Sequence, residues 1–101
     1  MTNDTSTMAS DVLSPALASV TGWLARQGFA LLAALPTGPD AAVILVDRSP
    51  AYPHAGPGFD RYVTWRAYAH QPEPESGYYT PSFANAMRDL ASRSGIACWP
   101  V

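Results

Sequence analysis

Apolar residues near the start of the chain recur at the spacing of a helix. The stripe consists of Leu13, Leu17, Val20 and Leu24. Ser14 and Pro15 are typical of a helix start, because serine can cap free N–H groups and a proline at the first position has none to satisfy. Gly28 readily adopts the left-handed geometry that ends a helix. The pattern predicts a helix over residues 15–27, preceded by a disordered polar tail over residues 1–10.

The middle of the chain has the pattern of a β-hairpin followed by a longer strand. Residues 29–35 and 42–46 are apolar and flank a turn rich in proline and glycine at 36–40. The first arm also has good helix propensity, and we interpret it as a strand because of the turn that follows. Residues 61–70 alternate between apolar and polar side chains, which is the period of a strand. Residues 77–79 predict a short strand that returns against it.

Two stretches rich in proline predict loops. Residues 48–60 contain three prolines and two glycines, which exclude regular structure. A surface loop of this length is uncommon unless it is mobile or functional. Residues 71–77 contain Pro72 and Pro74 and predict a second loop.

A second helix follows these strands. Its apolar stripe consists of Phe83, Ala86, Met87 and Leu90. Thr80-Pro81 or Ser82 opens this helix, and Gly95 ends it. The apolar residues 96–101 are expected to pack, with an edge strand as one arrangement.

Together these elements predict an α+β fold. The order is helix, three or four antiparallel strands, helix (α-β-β-β-(β)-α), with both helices packed on one face of the sheet. A chain of 101 residues has room for a single domain. We therefore expect residues 11–101 to form one α+β domain behind the tail of residues 1–10.

The charge content changes what can be expected of the surface. Charged residues make up 14% of the chain, against about 25% in average globular proteins. Part of the surface is then neutral, or it is covered by another chain. All six basic residues are arginine, and the net charge is −2. This balance disfavours direct binding to nucleic acid, which depends on neutralising phosphates.

The sequence also bears on the compartment. Arg26 lies near the centre of the apolar stretch 16–35, where a charge is unfavourable in a bilayer, so no membrane span is expected. The N-terminus lacks the pattern of a signal peptide, and the single cysteine, Cys98, has no partner for an internal disulfide. These features predict a cytoplasmic protein.

No group of residues has the spacing of a known catalytic or metal centre. His54 and His70 are far apart, whereas a metal site needs three or four ligands, usually two of them at close spacing. Cys98, next to Trp99, is expected to be packed rather than reactive. We predict no catalytic residue, no metal and no cofactor, and therefore a protein that is not an enzyme. The alternative, a small hydrolase or isomerase, requires His70 near Cys98 or Asp60.

The polar side of the long strand is the candidate binding surface. If both helices cover the other side, its tyrosines, arginine and histidine stand on an uncovered face beside the aromatic pair of the next strand. Tyrosine and arginine are frequent at interface hot spots, because each buries a large area and keeps a polar tip. Cross-strand pairing that stabilises an open sheet is the alternative explanation. The predicted partner-binding residues, which include two glutamates of the second loop, are Tyr62, Arg66, Tyr68, His70, Glu73, Glu75, Tyr78 and Tyr79.

Three segments carry a resemblance to known proteins. They are Tyr62-Val63-Thr64-Trp65, Gly77-Tyr78-Tyr79 and the helix from Ser82 to Arg93. In this order, over residues 61–94, they resemble small proteins encoded by phages and other mobile elements. Some proteins of this kind are anti-CRISPR inhibitors, which cover a surface of a CRISPR effector complex and need no active site of their own.

This resemblance implies a function without catalysis. The chain is expected to be a phage-encoded protein-binding inhibitor whose protein partner is a subunit of a CRISPR effector. The alternative is a homodimeric structural or accessory domain of a bacterial or phage protein, which pairs through the same sheet face.

Overall fold

The computed structural model describes the backbone of residues 4–95 and the side chains of residues 16–95. The described residues form α1 (Asp4–Gln27), β1 (Ala30–Gly38), β2 (Ala41–Asp47), β3 (Tyr62–Tyr68), β4 (Gln71–Thr80) and α2 (Phe83–Arg93). The predicted α+β fold and the order of its elements are confirmed. Residues 96–101, with the predicted edge strand and Cys98, lie outside the described residues.

The four strands form one antiparallel sheet in the order β1-β2-β3-β4. Each strand therefore pairs with its neighbour in sequence, and β1 and β4 are the edges. In the middle of the sheet Ile44 of β2 lies opposite Ala34 of β1 and Trp65 of β3. The ladder between β1 and β2 shifts by one residue at Leu32, which is the geometry of a β-bulge.

The two helices lie on opposite faces of the sheet. α1 contributes Val20 and Leu24 to a buried cluster that includes Ile44, and we call this side the α1 face. α2 contributes Leu90 to a second cluster that includes Leu45, on the side that we call the α2 face. Ile44 and Leu45 are consecutive residues of β2, so their side chains point to opposite sides of the sheet. The prediction that both helices share one face is therefore wrong.

The burial of β2 explains this arrangement. Its residues from Ala42 to Asp47 are all buried, so β2 projects buried apolar side chains on both sides of the sheet. A strand that is apolar at every position needs cover on both faces, whereas an alternating strand needs cover on one. The alternation of β3 predicts a single layer of helices, and the continuous apolar run of β2 overrules it.

α1 is longer than the sequence pattern predicts. It begins at Asp4, so residues 4–10 are helical where the sequence predicts a disordered tail. The helix also continues through Pro15, the predicted start. A proline inside a helix removes one hydrogen bond and favours a break, which is why the pattern places the start there. Gly28, with a φ of 77°, follows the end of α1 as predicted.

One of the two predicted loops is a strand. Residues 48–61 connect β2 to β3 and contain only a short 3-10 turn over Ser49–Ala51, so the first loop is confirmed. Residues 71–77 belong to β4, which begins at Gln71 after a tight turn. The two prolines there are tolerated because β4 is an edge strand, where a missing N–H can face away from the ladder.

α2 begins after its cap Ser82, one of the two starts that the sequence predicts. The Ser82 hydroxyl accepts a hydrogen bond of 3.0 Å from the backbone N–H of Asn85, which satisfies one of the free N–H groups of the first turn. Ala86 and Leu90 are buried against the sheet. The predicted stripe therefore faces the core, although Phe83 and Met87 at its margin are exposed.

Polar contacts fix α2 on the sheet. Thr64 of β3 is fully buried and donates its hydroxyl hydrogen to the Asp89 carboxylate. The same carboxylate forms an ion pair of 2.7 Å with Arg93. Arg93 also donates to the backbone carbonyl of Ser76. These contacts join β3, α2 and β4.

Candidate protein-binding surface

The predicted binding residues do not form one continuous surface. The register with β2 places Tyr62, Arg66 and Tyr68 on the α2 face. Tyr78 of β4 shares that face, whereas Tyr79 lies on the α1 face. The structure therefore separates Tyr79 from the other aromatic residues of the predicted set.

The α2 face is not the uncovered surface that the sequence interpretation assumes. Tyr62 is half-buried and packs edge-on against Phe83 of α2, with the ring centroids 5.3 Å apart. Arg66 and Tyr68 are also partly buried. The assumption is wrong because α2 lies on this side of the sheet, and a binding role for these residues stays a prediction.

The remaining members of the predicted set lie on or before the edge strand β4. His70 is exposed in the turn that precedes β4, and Glu73 and Glu75 are exposed along it. Glu75 lies opposite Arg66 in the ladder. Opposite charges on paired strands stabilise a sheet, so this pair fits the cross-strand explanation as well as a binding role.

The hydrolase alternative needs His70 close to Asp60 or Cys98. Asp60 lies before β3 and His70 lies after it. A strand of seven residues holds its two ends about 20 Å apart. Within the described part of the chain, the histidine and this carboxylate are therefore too far apart to act together.

The structure gathers an arginine and four aromatic rings at a different place. The Arg48 guanidinium carbon lies 5.0 Å from the ring centroid of Tyr79, 5.1 Å from Phe59, 5.2 Å from Tyr52 and 5.8 Å from Phe29. A cation within about 6 Å of a ring centroid is attracted to the face of the ring. We call these five residues the Arg48 cluster.

Three separate parts of the chain build the Arg48 cluster. Phe29 follows the end of α1. Arg48, Tyr52 and Phe59 come from the loop over residues 48–61, and Tyr79 comes from β4. The cluster rests on the core through Trp65, whose ring stacks on Phe29 and meets Tyr79 edge-on.

An ion pair closes the base of the loop. Arg61 donates from Nε to Oδ1 of Asp47 at 3.0 Å and from Nη2 to Oδ2 at 2.9 Å. The backbone N–H of Ser49 donates to the same carboxylate at 2.9 Å, and the N–H of Arg48 donates to the carbonyl of Arg61 at 2.8 Å. The two ends of the loop are therefore tied together, as in a compact Ω-loop.

The Asp47 carboxylate is held in its charged form. The hydrogen bond from Arg61 lowers the pKa of Asp47 from 3.8 to about 2, although burial acts in the opposite direction. The same contact raises the pKa of Arg61. The clamp between the two side chains is therefore fully charged at neutral pH.

The Arg48 cluster is held by contacts within the chain and is partly accessible. Tyr52 and Tyr79 are each 45% exposed, and the Arg48 guanidinium donates from Nη1 to the carbonyl of Asp60 at 2.8 Å. The Tyr52 and Phe59 rings also line an open hollow of about 490 Å³ inside the loop. Aromatic surface is therefore exposed at a place where contacts within the chain hold the rings.

The sequence interpretation missed four residues of this cluster. Phe29 lies between α1 and β1, whereas the other three lie in the loop over residues 48–61. Tyr79 is the one member of the cluster that belongs to the predicted set. The available signal was the presence of two aromatic residues in a loop rich in proline and glycine, where a solvent-exposed loop has no need of them.

Two further features are absent from the part of the chain that the structure describes. Between residues 4 and 95, no group of three or more His, Cys, Asp and Glu side chains is placed to hold a metal ion. Neither of the helices described has a segment both long and apolar enough to span a membrane.

The class that this geometry defines is an α+β domain with a helix on each face of a four-stranded antiparallel sheet and an aromatic and arginine cluster at one end. No protein-family model, no curated protein and no solved structure matches the chain significantly.

Proposed function

We propose that this chain is a non-enzymatic protein-binding inhibitor that contacts its partner through the Arg48 cluster. The observation that carries the proposal is the pair of exposed rings, Tyr52 and Tyr79, whose centroids lie 5.2 and 5.0 Å from the Arg48 guanidinium carbon. Tyrosine and arginine dominate interface hot spots. They are most effective where their conformations are fixed before binding, because less entropy is then lost.

The clamp at the base of the loop supports this proposal. Asp47 and Arg61 close the loop, and the contacts of Arg48 with four rings hold its interior. A loop held in this way presents its aromatic side chains like those of a preorganised inhibitor. A surface of this kind inhibits a partner by covering the partner's own binding surface. This mode of inhibition needs no catalytic group.

The narrower proposal concerns the partner and rests on the resemblance over residues 61–94. The partner would be a subunit of a CRISPR effector complex, and the protein would act in the cytoplasm, where such complexes act. The net charge of −2 favours contact with a protein surface over contact with nucleic acid itself.

The test uses the full chain with purified, guide-loaded CRISPR effector complexes. We expect co-elution in size-exclusion chromatography and loss of DNA cleavage. Tyr52→Ala and Tyr79→Ala should each weaken binding about tenfold or more, as at interface hot spots. Tyr78→Ala is the matched control, because Tyr78 is also exposed but lies on the α2 face.

Two results would count against these proposals in different ways. If the protein co-elutes with none of the effector complexes and each complex keeps its full DNA cleavage, the CRISPR partner is rejected. Binding that is lost in Tyr78→Ala and kept in Tyr52→Ala would reject the Arg48 cluster and return the interface to the α2 face.

Homodimerisation is compatible with this function. The sequence analysis places a homodimer contact on the sheet face that carries Tyr62. A second copy on this α2 face would have to accommodate α2 and the packed pair Tyr62 and Phe83. The outer edge of β1 is less encumbered, and it lies across the sheet from Tyr79 on β4.

A further inference from the structure

We propose that the outer edge of β1 binds the same edge of a second copy of this chain, so that two four-stranded sheets join into one antiparallel sheet. β1 pairs with β2 on one side, and no strand of residues 4–95 pairs with its other side. Alternate residues of such an edge leave N–H and C=O groups unpaired, and these groups are a template for another strand. This interface is independent of the partner proposed for the Arg48 cluster.

The two edges of the sheet differ in how they are protected. β4 carries Pro72, Pro74, Glu73 and Glu75, and prolines and charges are the usual means of preventing strand addition. β1 carries one proline, Pro36, and no charged residue among its nine positions. The contrast indicates that β1 is the less protected of the two edges.

Exposed leucines add an apolar contact to the β1 edge. Leu31 is 37% exposed and Leu32 is 46% exposed. Pro36 and the bulge at Leu32 reduce the number of regular hydrogen bonds that β1 can offer. The leucine side chains would therefore supply much of the affinity, and association should depend on protein concentration.

A second copy fits this edge better than an unrelated strand. In antiparallel pairing about a two-fold axis, the start of one β1 lies beside the end of the other. The turn with Asp40, beyond the end of β1, then approaches the last turn of α1 with Arg26 in the second copy. Both residues are exposed, and their opposite charges are brought together twice, whereas the uncharged strands themselves do not repel.

The test is sedimentation of the full chain over a range of concentrations. We expect a reversible monomer–dimer equilibrium, and we expect Leu32→Lys to raise the dissociation constant about tenfold or more, because a lysine on an edge strand opposes pairing. Tyr78→Lys introduces the same charge at an exposed aromatic residue of β4 and should leave the equilibrium unchanged. Circular dichroism and the Tm of each variant check the fold.

A second measurement on the wild-type chain keeps the proposal testable if Leu32→Lys does not fold. Amide hydrogen exchange in residues 30–35 should slow as the concentration rises through the dissociation constant. A chain that is monomeric at every concentration would overturn the proposal. So would protection of β1 that is independent of concentration, since another segment of the same chain, such as residues 96–101, would then cover the edge.

Discussion

Asp47 and Arg61 face each other at the two ends of the loop between β2 and β3, joined by hydrogen bonds of 3.0 and 2.9 Å. The last residue of one strand thus holds the residue that precedes the next strand. The fourteen residues from 48 to 61 leave the sheet and return to it through this pair. Its strength therefore decides how rigidly Tyr52 and Phe59 are presented.

Acid should weaken the fold through Asp47. Because the folded-state pKa is lowered from 3.8 to about 2, the ion pair adds stability that is fully present above the ordinary pKa and is lost as the pH falls through about 2. The Arg61 side chain is 49% exposed, so solvent reduces this contribution to about 1 kcal/mol. Asp47→Asn should lower the free energy of unfolding by that amount at neutral pH.

Urea denaturation at several pH values checks this prediction. The loss of stability of the wild-type chain between pH 3.8 and about 2 should be smaller in Asp47→Asn. Asp60→Asn removes a carboxylate from the same loop but keeps both hydrogen bonds between Arg61 and Asp47. It is the control and should keep the stability that the clamp contributes. An identical acid dependence in all three proteins would show that the clamp contributes nothing.

Arg48→Ala should destabilise the loop more than the rest of the domain. It removes the cation that contacts four rings and should cost about 1–3 kcal/mol through lost cation–π and packing contacts. Limited proteolysis should cut the variant within residues 48–61 before any other site. Arg88→Ala, at an exposed position on α2, is the control, and equal cleavage of both variants would contradict the role given to Arg48.

Gly77→Ala should disturb the packing of Trp65. A Cβ at this position would lie 2.6 Å from Nε1 of Trp65 and 2.8 Å from Cε1 of Tyr79. Both rings would have to move, at a cost of about 1–3 kcal/mol. Gly38→Ala is the matched control, because its Cβ meets nothing within 4 Å. Thermal unfolding and tryptophan fluorescence report the two effects, and a wild-type Tm in Gly77→Ala would refute this account.

Thr64→Val should loosen α2 from the sheet. The valine keeps the volume of the side chain but leaves the Asp89 carboxylate without its buried hydroxyl donor, which should cost about 1–3 kcal/mol. Thr37→Val, at an exposed position of β1, should change stability by less. Hydrogen exchange of the α2 amides is the sensitive measurement, and unchanged protection there would argue against a fixing role for Thr64.

The elements that the sequence predicted well are those decided by local chemistry. Ser82 and Gly28 mark helix ends through their own side-chain and backbone geometry. The sequence predicts Gly28 as a helix end, and it predicts Ser82 as one of two starts for the second helix. The apolar run of β2 was also recognised as a buried strand. Pro72 and Pro74 led to the wrong prediction of a loop over residues 71–77. A proline indicates a break unless the strand is known to be an edge strand, and edge position depends on the tertiary fold.

The Arg48 cluster could not be predicted in the same way. Phe29 and Tyr79 are fifty residues apart in the chain, and they meet on one guanidinium only because the sheet and the loop bring them to the same end. Periodicity within one segment carries no information about such convergence. The alternation of β3 identified its polar side correctly, but it could not reveal that a helix would lie there.

The placement of α1 and α2 on opposite sides has a consequence for access. The sheet becomes the inner layer of a three-layer sandwich, so its broad surfaces are occupied from within the molecule. A binding partner can then reach only the perimeter of the sheet, which consists of the two edge strands and the loops at either end. Recognition by this domain is therefore expected to be a property of its rim.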